Sequence, residues 1–154
     1  MPMKPKQADL DKLDWKILEA LQLNARITNT ELGMQVGLSQ PAVTARIRRL
    51  EDAGVIEGYA AKINLRVAGY PTSAVIRIRT THAQIPLCLQ AFADMPEVID
   101  AQRITGEDCF VVRVVASEMA ELEHTIDALA KLGAVSTAVV LASYPTKIVR
   151  APKV

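Results

Sequence analysis

Two helix-start signals on either side of one glycine constrain this chain more than any other feature of its sequence. Thr28 and Glu31 in "TNTE" have the spacing of a capping box, in which each side chain accepts from a free backbone N–H. Gly37 suits the left-handed residue that ends such a helix, and Ser39 suits the N-cap of the next, with Pro41 in its first turn. The stretch therefore predicts two helices joined by a turn of about three residues, which is the connection of a helix-turn-helix.

A further helix is predicted before this pair. Residues 10–23 carry leucine and isoleucine at helical spacing, with Asp11 and Asp14 near the positive N-terminal end. The third helix is expected to run to about residue 53, where Gly54 stops it. The first third of the chain is therefore predicted to be a three-helix domain.

The rest of the sequence alternates between strand and helix periodicity. Glycine and proline mark a linker at residues 58–71, and β-branched residues at 55–65 favour a connecting strand there. The elements expected after it are a strand at 72–80, a helix at 85–94, strands at 98–105 and 109–116, a helix at 118–131 and a strand at 135–144. Ser117 is the expected cap of the second of these helices. Their order, βαββαβ, is that of the ferredoxin-like fold.

The predicted sheet is apolar on both faces. In a ferredoxin-like sheet the two helices cover one face, and the other alternates toward polar residues where it meets water. The segments "CFVVRVV" and "VSTAVVLASY" are instead mostly apolar at odd and even positions alike. We therefore expect the second face to be buried, and a second copy of the chain is its expected cover.

Composition and motifs argue against a secreted, membrane-spanning, metal-binding or catalytic protein, but net charge does not decide whether the chain binds nucleic acid. The 18 Lys+Arg and 17 Asp+Glu give a formal net charge of +1, so a case for nucleic acid rests on local pattern. The sequence has no signal-peptide start and no apolar run long enough for a membrane span, which predicts a cytoplasmic chain with no membrane partner. His82 and His124 stand apart from any Cys/His cluster, and no catalytic motif is present. We therefore expect no metal, no cofactor and no enzymatic activity.

The outer face of the third helix is the candidate for DNA recognition. At the helical repeat one narrow arc is apolar and packs inward, formed by Val43, Ile47 and Leu50. A recognition helix puts short polar side chains of its N-terminal half at base edges, while flanking arginines hold phosphates. The candidate DNA-binding residues are Ser39, Gln40, Pro41, Thr44, Arg46, Arg48 and Arg49. Arg48 and Arg49 are expected on the outer side and Arg46 on its flank. The alternative is that these arginines form an ordinary solvated face.

A resemblance to one known protein family covers nearly all of residues 10–143. It is carried, in order, by "LDKLDWKILEALQLNARITNTELG", "VGLSQPAVTARIRRLEDAGVIEGYAAKIN", "ITGEDCFVVRV" and "STAVVLAS". In these stretches the chain resembles the Lrp/AsnC family of bacterial and archaeal transcription regulators, also called feast/famine regulators. The resemblance implies a helix-turn-helix, a hinge strand and a C-terminal domain that pairs through its sheet. It also implies dimers that assemble into tetramers or octamers and sense an amino acid or a related metabolite.

The resemblance places an effector site between dimers, at the loop joining the second and third strands of the C-terminal domain. The family often has Gly-Asp-x-Asp there, and this chain has Gly106, Glu107, Asp108 and Cys109 instead, so that a cysteine replaces the second acid. The implied effector-binding residues are Thr105, Gly106, Glu107, Asp108, Cys109 and Thr137. Backbone amides of a tight turn suit a ligand carboxylate, and an acidic side chain suits its ammonium group. The alternative is a plain polar hairpin turn and a strand threonine that only packs.

The predicted organisation is thus α+β, with a helix-turn-helix (winged-helix-like) domain joined by a hinge strand to a ferredoxin-like (RAM/ACT-like) domain. The expected parts are a mobile tail at 1–9, the DNA-binding domain at 10–57, the hinge at 58–71 and the effector-sensing and oligomerisation domain at 72–154. The predicted partners are double-stranded DNA, a small-molecule effector and further copies of the chain. Two alternatives stay open: an architectural DNA-binding protein without an effector, and an enzyme or regulatory subunit, because ferredoxin-like domains host many functions.

Overall fold

The computed structural model describes residues 8–152 and contains two compact units. The helices are α1 (Lys12–Leu23), α2 (Asn29–Val36), α3 (Gln40–Asp52), α4 (Ile85–Asp94) and α5 (Met119–Ala130), and the strands are β1 (Thr72–Arg79), β2 (Val98–Arg103), β3 (Phe110–Ala116) and β4 (Ala134–Val139). The α+β class and the order of the two domains are confirmed. The mobile tail predicted at 1–9 lies outside the described residues except for its last two positions. Among the helices described, none has the length and apolarity to span a membrane.

Each helix of the helical unit begins at a capping residue, and the caps of α2 and α3 are the predicted ones. Asp11 caps α1 by accepting from the backbone N–H of Asp14 at 2.8 Å, and the Asp14 carboxylate accepts from the N–H of Asp11 at 3.0 Å. Thr28 and Glu31 form the same reciprocal box at the start of α2. Ser39 caps α3, as expected, with its hydroxyl 3.4 Å from a first-turn N–H. The buried apolar residues between the helices are Ile17, Leu32, Val36, Val43 and Leu50.

The turn between α2 and α3 depends on two glycines for different reasons. Gly37 ends α2 with φ at +75°, in the left-handed region that favours glycine. Gly33 lies inside α2, and a Cβ placed there would be 2.5 Å from the carbonyl oxygen of Leu38. The backbone of the turn therefore packs directly on the backbone of α2.

The second unit is an antiparallel sheet with strand order β2-β3-β1-β4, covered on one face by α4 and α5. This is the predicted ferredoxin-like arrangement. Its core contains an edge-to-face pair of Phe92 and Phe110, with ring centroids 5.2 Å apart. The fully buried strand residues facing the helices are Ile76, Ile78, Val112 and Val114.

The other face of the sheet mixes valine with arginine. Across β1 and β3, Val75 stands opposite Arg113 and Arg77 opposite Val111. Both valines are half-buried and both arginines are exposed. This face is thus less uniformly apolar than the sequence pattern suggested, because arginine alternates with valine in the register.

Three local expectations differ from the structure. Residues 55–65 form no strand, because a strand needs a neighbouring strand to hydrogen-bond with and none lies beside this segment among residues 8–152. The strand expected at 135–144 ends at Val139. The N-cap of α5 is Glu118 and not Ser117, whose N–H and hydroxyl both donate to the Glu121 carboxylate, at 2.5 and 2.7 Å.

The C-terminal segment also departs from the expected domain boundary. Residues 145–152 group with the helical unit and not with the sheet that precedes them. The Gln22 side chain at the end of α1 donates to the carbonyl of Val149 and accepts from its N–H, both at 2.8 Å. One side-chain amide therefore satisfies both the N–H and the carbonyl of Val149.

Candidate nucleic-acid interface and ligand-binding loop

The outer side of α3 presents a row of polar side chains at four-residue spacing. The Thr44 hydroxyl accepts from the Asn29 side chain at 2.9 Å and from the Gln40 side chain at 3.2 Å, and it donates to the Gln40 carbonyl at 3.0 Å. Arg48 follows one turn later and is exposed. Residues four apart lie on one side of a helix, so these three side chains form a continuous row. An amide, a hydroxyl and a guanidinium in a row are groups that hydrogen-bond to base edges and phosphates.

The first turn of α3 adds backbone groups to this surface. Ser39 and Pro41 are exposed, and the Ser39 hydroxyl serves as the helix cap. Remaining N–H groups at the start of a helix, together with the positive end of the helix dipole, favour a nearby anion such as a phosphate. The structure brings together the first four candidate residues of the sequence prediction at this end of α3.

Arg46 and Arg49 are placed differently from the sequence expectation. The Arg46 guanidinium contacts the carboxylates of Asp11 and Asp14 at 2.7 and 2.8 Å. That of Arg49 contacts the other oxygen of Asp14 at 2.5 Å. Helical periodicity assigned Arg49 to the outer side, but its long side chain turns back to α1, because Asp14 is fully buried and needs cationic partners. Of the three neighbouring arginines, Arg48 is the one without an ion pair among residues 8–152.

Asp14 is a functional candidate that the sequence reasoning missed. The sequence predicts Asp14 as an acid near the positive end of α1, and its carboxylate does accept from the backbone N–H of Asp11 there. The available signal was its spacing, three residues before Ile17 and seven before Leu21, which puts Asp14 on the inner face of α1. An acid within an apolar stripe requires a buried partner, and Arg46 is one of its two partners.

The ionisation of this cluster follows from its hydrogen bonds. The pKa of Asp11 is lowered, first by the backbone N–H of Asp14 and then by the Arg46 side chain. The pKa of Arg46 is raised, mainly because Asp11 and then Asp14 accept from its charged form. Both groups therefore stay charged across the neutral pH range.

The predicted ligand loop joins β2 to β3 and is attached to the end of β1. Gly106 has φ at +114°, a conformation that side-chain-bearing residues rarely adopt. Glu107 is exposed, and its carboxylate lies 2.6 Å from the Arg79 guanidinium. The Cys109 thiol donates to the Thr80 carbonyl at 3.2 Å. The loop is therefore attached to the end of β1 on both sides of Asp108, through Glu107 before it and Cys109 after it.

The acids and the threonines of the predicted site differ in position. Asp108 is half-buried and has no ion pair among the described residues, whereas Thr105 is exposed. Thr137 lies on β4 opposite Ile76, and β1 separates it from β3 and the loop. Within one chain the loop residues are thus brought together, and Thr137 stands apart from them.

In the part of the chain that the structure describes, the histidines and cysteines outside these two regions form no further candidate site. Within residues 8–152 no group of three or more His, Cys, Asp or Glu side chains is arranged to hold a metal ion. Cys88 is buried in the sheet unit, and burial raises the pKa of its thiol. The structure therefore concentrates its candidate sites on α3 and on the β2–β3 loop.

Comparisons with known proteins agree with this division. Residues 10–57 match the family of winged helix-turn-helix DNA-binding domains, and residues 73–147 match the Lrp/AsnC ligand binding domain. The leucine-responsive regulatory protein of Rhizobium meliloti is 40% identical over 124 residues, which cover 78% of this chain and 79% of that protein.

Solved structures are similar over almost the whole chain. LrpC of B. subtilis has a TM-score of 0.86 at 27% identity and covers 91% of this chain and 100% of its own. The regulator NMB0573 of Neisseria meningitidis, solved as a complex with L-Met, has a TM-score of 0.84 at 29% identity and covers 94% of this chain and 97% of its own. Fold, site geometry and relatives agree: the chain belongs to the Lrp/AsnC family, as a transcriptional regulator with a helix-turn-helix domain and a ligand-binding domain.

Proposed function

We propose that this regulator recognises specific double-stranded DNA sequences through the outer side of α3 and acts by binding alone, without catalysis. The observation that carries the proposal is the row of Gln40, Thr44 and Arg48, on a helix whose other side is buried in the core. Gln40 offers both groups that pair with an adenine edge, and Arg48 offers a cation to a phosphate. Ser39 and Pro41 lie at the exposed start of the helix, where they would contact the phosphate backbone of the DNA. Its place of action would be the chromosome, in the cytoplasm.

The DNA assignment is tested on a duplex from upstream of the gene that encodes the chain. We expect Gln40→Ala to reduce discrimination between this duplex and a mixed-sequence duplex, because one base contact is worth about 1–3 kcal/mol. Arg48→Gln is expected to weaken binding to both duplexes. The control is Arg66→Gln, which removes an exposed arginine outside the helical unit. Equal binding by wild type, Gln40→Ala and Arg48→Gln would refute the assignment.

We further propose that the β2–β3 loop binds an amino acid or a related small metabolite. The support is the ligand-binding family of this domain and the complex of the Neisseria relative with L-Met. Gly106, at positive φ, lies in a tight turn, and the backbone amides of such a turn suit a ligand carboxylate. Glu107 is already paired with Arg79, so Asp108 is the acid available to a ligand ammonium group. Thr105 and Cys109 border this turn, and we include Thr137 as a contributor from another copy in an assembly.

Thermal shift with a panel of amino acids tests this ligand class. A ligand that binds the folded state alone stabilises it, by about 2.7 kcal/mol at a hundred times its Kd. We expect one or more amino acids to raise the melting temperature, with the response lost in Asp108→Asn and weakened in Glu107→Gln. A panel without any stabilising member would instead favour an architectural DNA-binding protein.

We also propose that two copies pair through the valine-and-arginine face of the sheet, with dimers assembling into tetramers or octamers. Val75 and Val111 are half-buried on a face that neither α4 nor α5 covers. Val111→Asp is expected to reduce the mass measured by light scattering to that of one chain. Ala120→Asp, at the exposed start of α5, adds the same charge elsewhere and should leave the mass unchanged. A normal assembly mass for Val111→Asp would contradict this interface.

A further inference from the structure

We propose that Asp14 is a positioning residue for the recognition helix, which holds Arg46 and Arg49 on α1 and withholds both from DNA. The inference rests on the proposed DNA-binding role of α3. It assigns the three clustered arginines to two roles, in which Arg48 meets the phosphate backbone and its two neighbours fix the orientation of the helix.

The contacts of Asp14 use both of its oxygens. Oδ1 lies 2.8 Å from the Arg46 guanidinium, and Oδ2 lies 2.5 Å from that of Arg49 and 3.0 Å from the N–H of Asp11. The Asp14 side chain is fully buried, at 0% exposure, whereas the arginine side chains are 26% and 56% exposed. The two arginines thus reach inward from the solvent edge of α3 to one buried carboxylate.

The spacing of the arginines makes this contact sensitive to rotation. Arg46 and Arg49 are three residues apart and therefore leave α3 on adjacent turns, on nearly the same side. Both are bound to oxygens of a single carboxylate whose own position is fixed by burial and by the start of α1. Turning α3 about its axis would move the two guanidinium groups away from Asp14 together. The cluster therefore fixes which residues of α3 face outward.

The charges within the cluster cancel. Asp11 and Asp14 carry two negative charges and the arginines two positive ones, at 2.5 to 2.8 Å. If a guanidinium moved to a phosphate, it would leave the buried Asp14 without part of its compensation, and an unpaired buried charge is strongly unfavourable. We therefore expect the cluster to add little to the attraction of α3 for DNA, although two of its members are arginines.

The salt dependence of DNA binding separates the two roles. Each phosphate contact by a cation steepens the fall of log K with log[salt] by about 0.9 for duplex DNA. Fluorescence anisotropy of a labelled mixed-sequence duplex, over a series of KCl concentrations, gives this slope for the full chain. Arg48→Gln and Arg49→Gln are matched variants, because they make the same change at adjacent positions.

We expect Arg48→Gln to reduce the slope by about 0.9 per contacting copy and Arg49→Gln to leave it unchanged. An equal reduction in both variants would overturn the inference while leaving the DNA-binding role of α3 in place. An unchanged slope in both would refute the phosphate contact of Arg48 and with it this part of the proposed function.

Asp14→Asn provides the converse test, because it keeps the size of the side chain and removes its charge. Arg49 then loses its carboxylate partner while Arg46 keeps Asp11, so the slope is expected to become steeper than in wild type, by about 0.9 per contacting copy. A merely structural role would weaken binding without steepening it, and that outcome in a folded variant would overturn the inference. If Asp14→Asn does not fold, as judged by Trp15 fluorescence, the Arg48 and Arg49 pair decides the question.

Discussion

The close contact between Gly33 and the turn after α2 predicts a large effect from one added methyl group. The Cβ of Gly33→Ala would lie 2.5 Å from the carbonyl oxygen of Leu38, whereas ordinary contact begins at 3.4 Å. The atom it meets belongs to the backbone, so no side-chain rotation relieves the overlap. Relief requires movement of the turn, which also disturbs the bond from the Leu38 N–H to the Gly33 carbonyl at 2.9 Å.

The expected cost of Gly33→Ala combines two opposing effects. Overpacking a rigid site costs about 3 kcal/mol at the upper end of its usual range. Alanine at an interior helix position returns about 1 kcal/mol relative to glycine. We therefore expect Gly33→Ala to lower the free energy of unfolding of the helical unit by about 2 kcal/mol.

Trp15 makes this effect measurable in the intact chain. It is the single tryptophan of the sequence and lies on α1, so its fluorescence during urea unfolding reports on the helical unit. Gly58→Ala is the control, because a Cβ there meets nothing within 4 Å and its φ is not positive. That variant should differ from wild type by less than about 0.5 kcal/mol. If Gly33→Ala were as stable as the control, the reasoning from backbone contact would be refuted.

Two further predictions concern segments that attach to the helical unit. Burial, together with donation to the Glu51 carboxylate at 2.8 Å, raises the pKa of Tyr59 to about 12. The stability from this contact is therefore present below the ordinary tyrosine pKa and lost as the pH rises toward 12. In an ultraviolet titration, Tyr59→Phe should remove the phenolate transition at the highest pH. Persistence of that transition in the variant would contradict the contact. Gln22→Ala should speed tryptic cleavage after Lys147, because the hydrogen bonds from Gln22 to the C-terminal segment are lost. The control is Gln90→Ala on α4. Equal cleavage rates in Gln22→Ala and wild type would count against a docked segment.

The starts of α2 and α3 were predictable because their causes are local. A capping box needs residues three apart, and the Thr28–Glu31 pair forms whatever the rest of the chain does. The same holds for the left-handed glycine at 37. Strand ends were less predictable, since a strand continues only while a neighbour pairs with it. The sequence remains β-like after Val139, but the ladder with β1 ends there.

The candidate site was predictable in outline and not in its polar contacts. Periodicity correctly buried Val43 and Leu50 and left Arg48 outside. Periodicity places only the Cα and Cβ atoms around the helix axis. It does not predict that the long Arg49 side chain contacts a carboxylate on another helix. The pairing of Glu107 with Arg79 joins residues 28 apart in sequence and depends in the same way on the folded sheet.

The contacts of α3 limit how its position can change. Its start is set by the Gly33–Leu38 approach, its middle by the bond from Asn29 to Thr44, and its second half by Asp14. The first attachment holds the turn that leads into α3, and the other two are made by α3 itself, to α2 and to α1. A shift of α3 alone would break the last two, including the ion pairs of the buried Asp14. The recognition surface is therefore carried by a rigid helical unit, so that an effector is expected to act by changing how such units are spaced in an assembly and not by reshaping α3 within one of them.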